Sequence, residues 1–172
     1  MNTRILVILS LLVGMGAVLH FVMPPIYGVT PDMMLAMMFL GIMLFPKLKY
    51  VIILSIATGV LSALATNAPG GQISNMIDKP ITALLFFALF LLVKDKLNIN
   101  ILAPILTAIG TIISGSIFLS VALFIVGLMD GAFVALFVAV VLPAAGLNTI
   151  CMIIIYPIVQ QIMKRSRPIA VS

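Results

Sequence analysis

The chain has 172 residues, of which 64% are hydrophobic and only 8% are charged. So few polar side chains cannot cover the surface of a water-soluble globule of this length, and the composition therefore predicts an all-α integral membrane protein. The formal net charge of +5 does not indicate nucleic-acid binding, because the basic residues flank apolar segments at intervals instead of forming one face.

Six apolar segments are candidate transmembrane helices. Such a helix needs about 20 residues to cross the bilayer core. Their approximate bounds are 5–22, 31–45, 50–66, 73–93, 101–126 and 132–163. We expect them to form a single transmembrane domain over residues 1–172. The first segment follows Arg4 as a signal peptide would, but no small-residue cleavage site precedes Pro24, so we interpret it as a retained helix.

The second segment carries a helix-start signal, with Thr30 as the N-cap, Pro31 at the first helical position and Asp32 in the first turn. It would be only about 20 Å long, so its outer end is expected to be recessed in the membrane, beside a wet or protein-covered space. Asp32 has a sufficient explanation as a first-turn acid, but this recessed position also makes it a candidate site residue.

The third segment has small residues at four-residue spacing, Ser55, Gly59 and Ala63, which favour close helix packing. The sixth segment is too long for one straight span, and a bend is expected at Pro143 with Gly146.

Basic residues occur at alternate junctions between the apolar segments. They are Arg4, Lys47, Lys49, Lys94, Lys96, Lys164, Arg165 and Arg167. Because short basic loops stay on the cytoplasmic side, we expect both termini to be cytoplasmic. The junctions near residues 23–32, 67–72 and 127–131 would then face outward.

The fourth segment contains the most informative chemistry, because Asn75, Asp78 and Lys79 lie in its outer half at helical spacing. Ionisable groups inside a span are costly and usually face a cavity or one another. These three side chains are therefore candidate contacts for a polar or zwitterionic solute. The alternative is that Asp78 and Lys79 only neutralise each other, or that Lys79 extends to the interface.

Two other polar residues are candidates for the same cavity. Asn148 lies deep in the sixth segment, where it would either contact the solute or form a hydrogen bond between helices. His20, near the outer end of the first segment, is either a ligand contact or an interfacial residue without a chemical role.

Nothing in the sequence predicts catalysis or a cofactor. It contains no G-x-S-x-G, H-E-x-x-H or P-loop motif, and only Asp32 and Asp78 could form an aspartyl pair. The paired methionines Met33 with Met37 and Met34 with Met38 are soft enough for Cu(I), but no Cys or His cluster accompanies them, so no metal site is expected.

Three stretches of the sequence resemble the bacterial tryptophan-transporter family TrpP, which is grouped with the substrate-binding S components of energy-coupling factor (ECF) transporters. These are residues 31–39 (PDMMLAMMF), 69–72 (PGGQ) and 75–80 (NMIDKP). The resemblance implies a six-helix, ECF S-component-like bundle with a substrate pocket near the outer surface. It also implies a partner module with a membrane scaffold protein and two ATPases, docked on small residues of the first helix. Ser10 and Gly14 match that position but depart from the usual alanines, and both would otherwise pack within the chain.

Tryptophan as the substrate is implied by the resemblance alone. In that reading Lys79 faces the carboxylate and Asp78 or Asp32 the ammonium, while Tyr27 and Phe86 supply an aromatic wall. The expected function is a substrate-binding membrane subunit for uptake of tryptophan or a related small solute.

Three alternatives remain open at this point. An ion-coupled transporter acting alone needs no ATPase partner. A membrane enzyme would require a paired acid–base site, and would be favoured by direct contact between Asp32 and Asp78 with nothing else polar in the cavity. A scaffold or assembly protein would require no cavity.

Overall fold

A computed structural model describes residues 2–26 and 28–165 of the chain. The helices in chain order are α1 (Thr3–Val22), α2 (Met33–Leu44), α3 (Leu48–Ala65), α4 (Gly71–Val93), α5 (Ile99–Val126) and α6 (133–165). Five of them are long and apolar enough to cross a membrane, and α2 is a shorter apolar helix. Outside helices, the described residues pair only in an isolated bridge between Ile26 and Val29. The structure therefore confirms an all-α membrane bundle of about six helices.

The helices begin and end within a few residues of the predicted bounds, but the last two contain turns that the sequence analysis does not predict. The end of α5, Val121–Val126, and the stretch Phe137–Val141 of α6 are π-helical. The second of these precedes Pro143, which has no amide hydrogen to donate to the carbonyl of Ala139. The wider turn lies where the α-helical hydrogen-bond pattern cannot continue.

The short helix α2 lies at the centre of the bundle. Every residue from Met33 to Met43 is buried, and the helix contacts all five others. Phe39 of α2 stacks on Phe86 of α4, with ring centroids 4.0 Å apart. The paired methionines of this helix are therefore part of the packed core.

The start of α2 differs from the predicted one. The helix begins at Met33, and its N-cap is Asp32, whose Oδ1 accepts a hydrogen bond of 3.0 Å from the amide of Leu35. The expectation that Thr30 caps the helix and Pro31 begins it is therefore wrong. A carboxylate is as good a capping acceptor as a hydroxyl, and here it lies two residues further along the chain.

Helices α3 and α4 pack closely through the small residues that the sequence analysis identified. Ser55, Gly59 and Ala63 are all buried on α3. A methyl group added at Gly59 would lie 3.4 Å from the carbonyl oxygen of Asn75 and 3.6 Å from Cβ of Lys79. This close approach holds the polar half of α4 against α3.

Helix α1 has one face on the core and one face outside the bundle. Its buried residues Ile5, Leu9, Leu12 and Gly16 follow helical spacing. Ser10 and Gly14 lie on the opposite, exposed face, and nothing lies within 4 Å of a Cβ added at Gly14. Packing within the same chain therefore does not explain these two small residues.

Candidate functional site

A cavity of about 570 Å³ opens at one end of the bundle. Its lining comes from the end of α1, the start of α2, the end of α3, the start of α4, the end of α5 and the start of α6. This end carries the loops near residues 23–32, 67–70 and 127–132, opposite the basic junctions at Lys47 and Lys94. The volume lies within the range of about 300–1,000 Å³ that is usual for small-molecule sites.

Three charged side chains meet at the inner side of this cavity. The ammonium Nζ of Lys79 lies 2.8 Å from Oδ2 of Asp32 and 3.0 Å from Oδ2 of Asp78. It also lies 3.4 Å from the hydroxyl of Ser114 on α5. One ammonium thus joins α2, α4 and α5, and we call Asp32, Asp78 and Lys79 the ion cluster.

The buried carboxylate of Asp78 is held by hydrogen bonds in addition to the ion pair. Thr82 donates to its Oδ1 at 2.7 Å, and Ser114 donates to its Oδ2 at 2.7 Å. Thr82 lies one helical turn beyond Asp78 on α4, so local helix geometry supplies one of the two donors. A charge removed from solvent needs such partners, and Asp78 has three of them.

Both polar and apolar side chains line the cavity. Apart from the ion cluster, the polar side chains that line it are His20, Thr30, Ser62, Thr66, Asn67, Asn75, Thr111 and Ser114. Among the apolar lining residues, those of α5, the loop after it and α6 are called the apolar wall: Phe118, Leu119, Met129, Leu136, Val140, Val141 and Ala144. Leu35, Ala65 and Ala68 add apolar surface from the region of α2 and α3. Such a site can hold a molecule that has a charged end and a bulky apolar end.

Of the other predicted site residues, Asn75 and His20 line the cavity. The amide nitrogen of Asn75 donates to the backbone carbonyls of Gly71 and Ser62, at 3.0 and 3.3 Å, so it also joins α4 to α3. Nδ1 of His20 is buried and has no hydrogen-bond partner within the described residues. His20 thus lines the cavity near the end of α1, and one of its ring nitrogens forms no hydrogen bond within the described residues.

Asn148 and Phe86 are not among the residues that line the cavity. Asn148 is fully buried behind it, and its Nδ2 donates at 3.2 Å to the hydroxyl of the lining residue Thr111. Phe86 is buried against Phe39 in the core, so the structure does not bring it to the cavity wall. Tyr27 lies outside the described residues.

Comparisons with known proteins identify the family of this chain. The family model "Tryptophan transporter TrpP" matches residues 2–164. The chain belongs to this family.

Three relatives are each called "Probable tryptophan transport protein", and each aligns with this chain over 96% of its own length. The one from Bacillus subtilis (strain 168) is 58% identical over 96% of this chain, and that from Clostridium acetobutylicum is 45% identical over 95%. The relative from Clostridium perfringens (strain 13) is 36% identical over 96% of this chain. No solved structure matches the chain.

Membership of the TrpP family makes this a multi-pass membrane protein of a transporter family, and the cavity agrees poorly with the rival classes. An aspartyl pair would be favoured by Asp32 and Asp78 in direct contact with nothing else polar beside them, but both carboxylates bind the ammonium of Lys79. Further polar side chains line the same cavity, and a pure scaffold would need no cavity.

The sequence analysis missed the lining residues of α5, among them Thr111, Ser114 and Phe118. A signal for them was present, because Thr107, Thr111, Ser114 and Phe118 follow one another at three- or four-residue spacing. That spacing places them along one face of the helix, and hydroxyls on one face of a transmembrane helix usually point toward protein or a cavity.

Proposed function

We propose that this protein binds tryptophan, or a closely related small solute, in the cavity and serves as the substrate-binding membrane subunit for its uptake. The observation that carries this proposal is the pairing of the ion cluster with an apolar wall in one cavity of about 570 Å³. Tryptophan has a zwitterionic end and a large, flat apolar end, so the ion cluster and the apolar wall each suit one part of it. The names of the relatives, "Probable tryptophan transport protein", support the same substrate.

The aromatic contact in this proposal comes from Phe118. It is the aromatic side chain among the described lining residues, apart from the imidazole of His20. Aromatic rings contact each other favourably in offset or edge-to-face arrangements, which suits recognition of an indole. Tyr27, outside the described residues, remains a second candidate for the aromatic wall.

Energy for transport would come from a partner ATPase module. The sequence has no P-loop, so a chain of this kind needs either an ATPase partner or an ion gradient. Two observations support docking of a membrane scaffold protein: the resemblance to ECF S components, and the exposed shallow groove on α1 lined by Ser10, Gly14 and their apolar neighbours. Small residues at an exposed helix face allow a second helix to approach closely.

Substrate binding can be tested on the purified chain by titration with tryptophan and with other amino acids. We expect tryptophan to bind most tightly, and Phe118→Ala to weaken that binding by about tenfold, because burial of a phenylalanine side chain contributes about 1.5–3 kcal/mol. Phe124→Ala is the matched control, since Phe124 is 74% exposed and does not line the cavity.

Equal binding of leucine or lysine would refute tryptophan selectivity. Accumulation of tryptophan by the chain alone in liposomes, driven by an imposed ion gradient, would favour the ion-coupled alternative over an ATPase partner.

A further inference from the structure

The ion cluster carries a surplus negative charge. It contains two carboxylates, Asp32 and Asp78, and one ammonium, Lys79. The three side chains differ in exposure: 0% for Asp78, 3% for Lys79 and 29% for Asp32. The surplus charge is therefore presented to the cavity at Asp32.

Lys79 is already surrounded by acceptors of the protein itself. Its Nζ donates to Asp32 at 2.8 Å, forms an ion pair with Asp78 at 3.0 Å and lies 3.4 Å from the hydroxyl of Ser114. A solute carboxylate would have to compete with these three partners for the three N–H donors of the ammonium. It would also approach a cluster that already has more negative than positive charge, which is unfavourable.

Asp32, by contrast, still has acceptor positions for a solute. A carboxylate offers about four lone-pair positions, and the described contacts of Asp32 use one on each oxygen, for the amide of Leu35 and for Lys79. Asp78 accepts from Thr82, Ser114 and Lys79 and is closed to solvent. Of the two carboxylates, only Asp32 retains both exposure to the cavity and free acceptor positions.

From this arrangement we infer that Asp32 receives the α-ammonium group of the solute, and that the protein recognises the amine more strongly than the carboxylate. Asp78, Lys79 and Ser114 are positioning residues that hold Asp32 at the cavity wall. The inference rests on the proposed function and deepens it, because it defines the substrate class as amines that carry a large apolar group. It replaces the expectation that Lys79 faces the carboxylate.

Three indole ligands separate the two charged groups of tryptophan: tryptophan itself, tryptamine, which lacks the carboxylate, and indole-3-propionate, which lacks the amine. Binding to the purified wild-type chain should be similar for tryptophan and tryptamine, within about tenfold, and at least about tenfold weaker for indole-3-propionate. Asp32→Asn should weaken tryptophan and tryptamine to the level of indole-3-propionate.

Asp32→Asn is well suited to the test, because asparagine is as good an N-cap as aspartate and can still accept a hydrogen bond from the amide of Leu35. It also leaves Asp78 and Lys79 as a balanced pair. Asp130→Asn removes the same charge from an exposed position in the loop after α5 and is the matched control, for which unchanged affinities are expected. Should the Asp32 variant fail to fold, the ligand series on the wild-type chain decides alone.

Wild-type protein that binds indole-3-propionate as tightly as tryptophan, and tryptamine far more weakly, would overturn the inference while leaving the proposed function intact. So would a folded Asp32→Asn variant with wild-type affinity for tryptophan. If none of the three ligands binds, the proposed function fails, and the inference fails with it.

Discussion

At the scale of single residues, the ion cluster shows what one sequence can and cannot reveal. Asp78 and Lys79 are conspicuous because they are ionisable residues within an apolar segment, and such residues usually face a cavity or each other. Asp32, by contrast, forms its ion pair with a lysine 47 positions away. Helical spacing describes only neighbours on one helix, so the sequence predicted the members of the cluster but not that Lys79 contacts both carboxylates.

Lys79→Met tests whether the cluster is a buried ionic unit. The substitution keeps the length of the stem but leaves two carboxylates without the ammonium that they share. Removing one partner of a buried pair typically costs about 3–5 kcal/mol, so we expect a clearly lower unfolding temperature in detergent. Adding Asp78→Asn removes the buried unpaired charge and should recover a large part of that loss.

Lys96→Met is the control for this series, because Lys96 is exposed in the loop after α4 and the chemical change is the same. It should leave the unfolding temperature within the error of the wild-type value, as exposed charges contribute little to stability. Wild-type stability of Lys79→Met, or no recovery in the double variant, would contradict the view that Lys79 balances both carboxylates.

At the scale of helices, the number and approximate bounds of the elements were predictable, whereas the faces of α1 were not. A helix that is apolar on all sides carries no polar stripe to distinguish the core from the lipid. Gly14 and Gly16 therefore look equivalent in the sequence, yet Gly14 is exposed and Gly16 is buried. A Cβ at Gly16 would lie 3.2 Å from the carbonyl oxygen of Met33 and 3.2 Å from Cα of Met34.

The two glycines form a matched pair for substitution by leucine. Gly16→Leu should displace the start of α2, which carries Asp32, and thereby lower both stability and tryptophan binding. Gly14→Leu should fold and bind tryptophan normally when purified, because nothing surrounds its Cβ within 4 Å. If α1 docks a scaffold protein through this face, Gly14→Leu should nevertheless abolish uptake in cells, measured with labelled tryptophan. Normal uptake would show that the partner docks elsewhere.

At the scale of the whole molecule, two independent features divide the bundle into the same two ends. The cavity opens among the loops that lack basic residues, while Lys47, Lys49, Lys94 and Lys96 lie at the junctions of the opposite end. Basic short loops remain cytoplasmic, so this division predicts a cavity open to the outside, as uptake requires. The final basic cluster agrees, although Ser166 and Arg167 lie outside the described residues.

Orientation can be measured by single cysteines introduced at the two ends of the bundle, in a Cys151→Ser background that removes the native thiol. Asp130→Cys lies in the loop after α5 and Asp95→Cys in the loop after α4, and both positions are exposed. Because the positive-inside rule assigns the second loop to the cytoplasm, a membrane-impermeant maleimide added to intact cells should label residue 130 and spare residue 95. Both should be labelled after the cells are permeabilised, which controls for reactivity. Labelling of residue 95 but not residue 130 in intact cells would invert the topology, and the cavity would then open to the cytoplasm, where capture of an external solute is impossible without a major rearrangement.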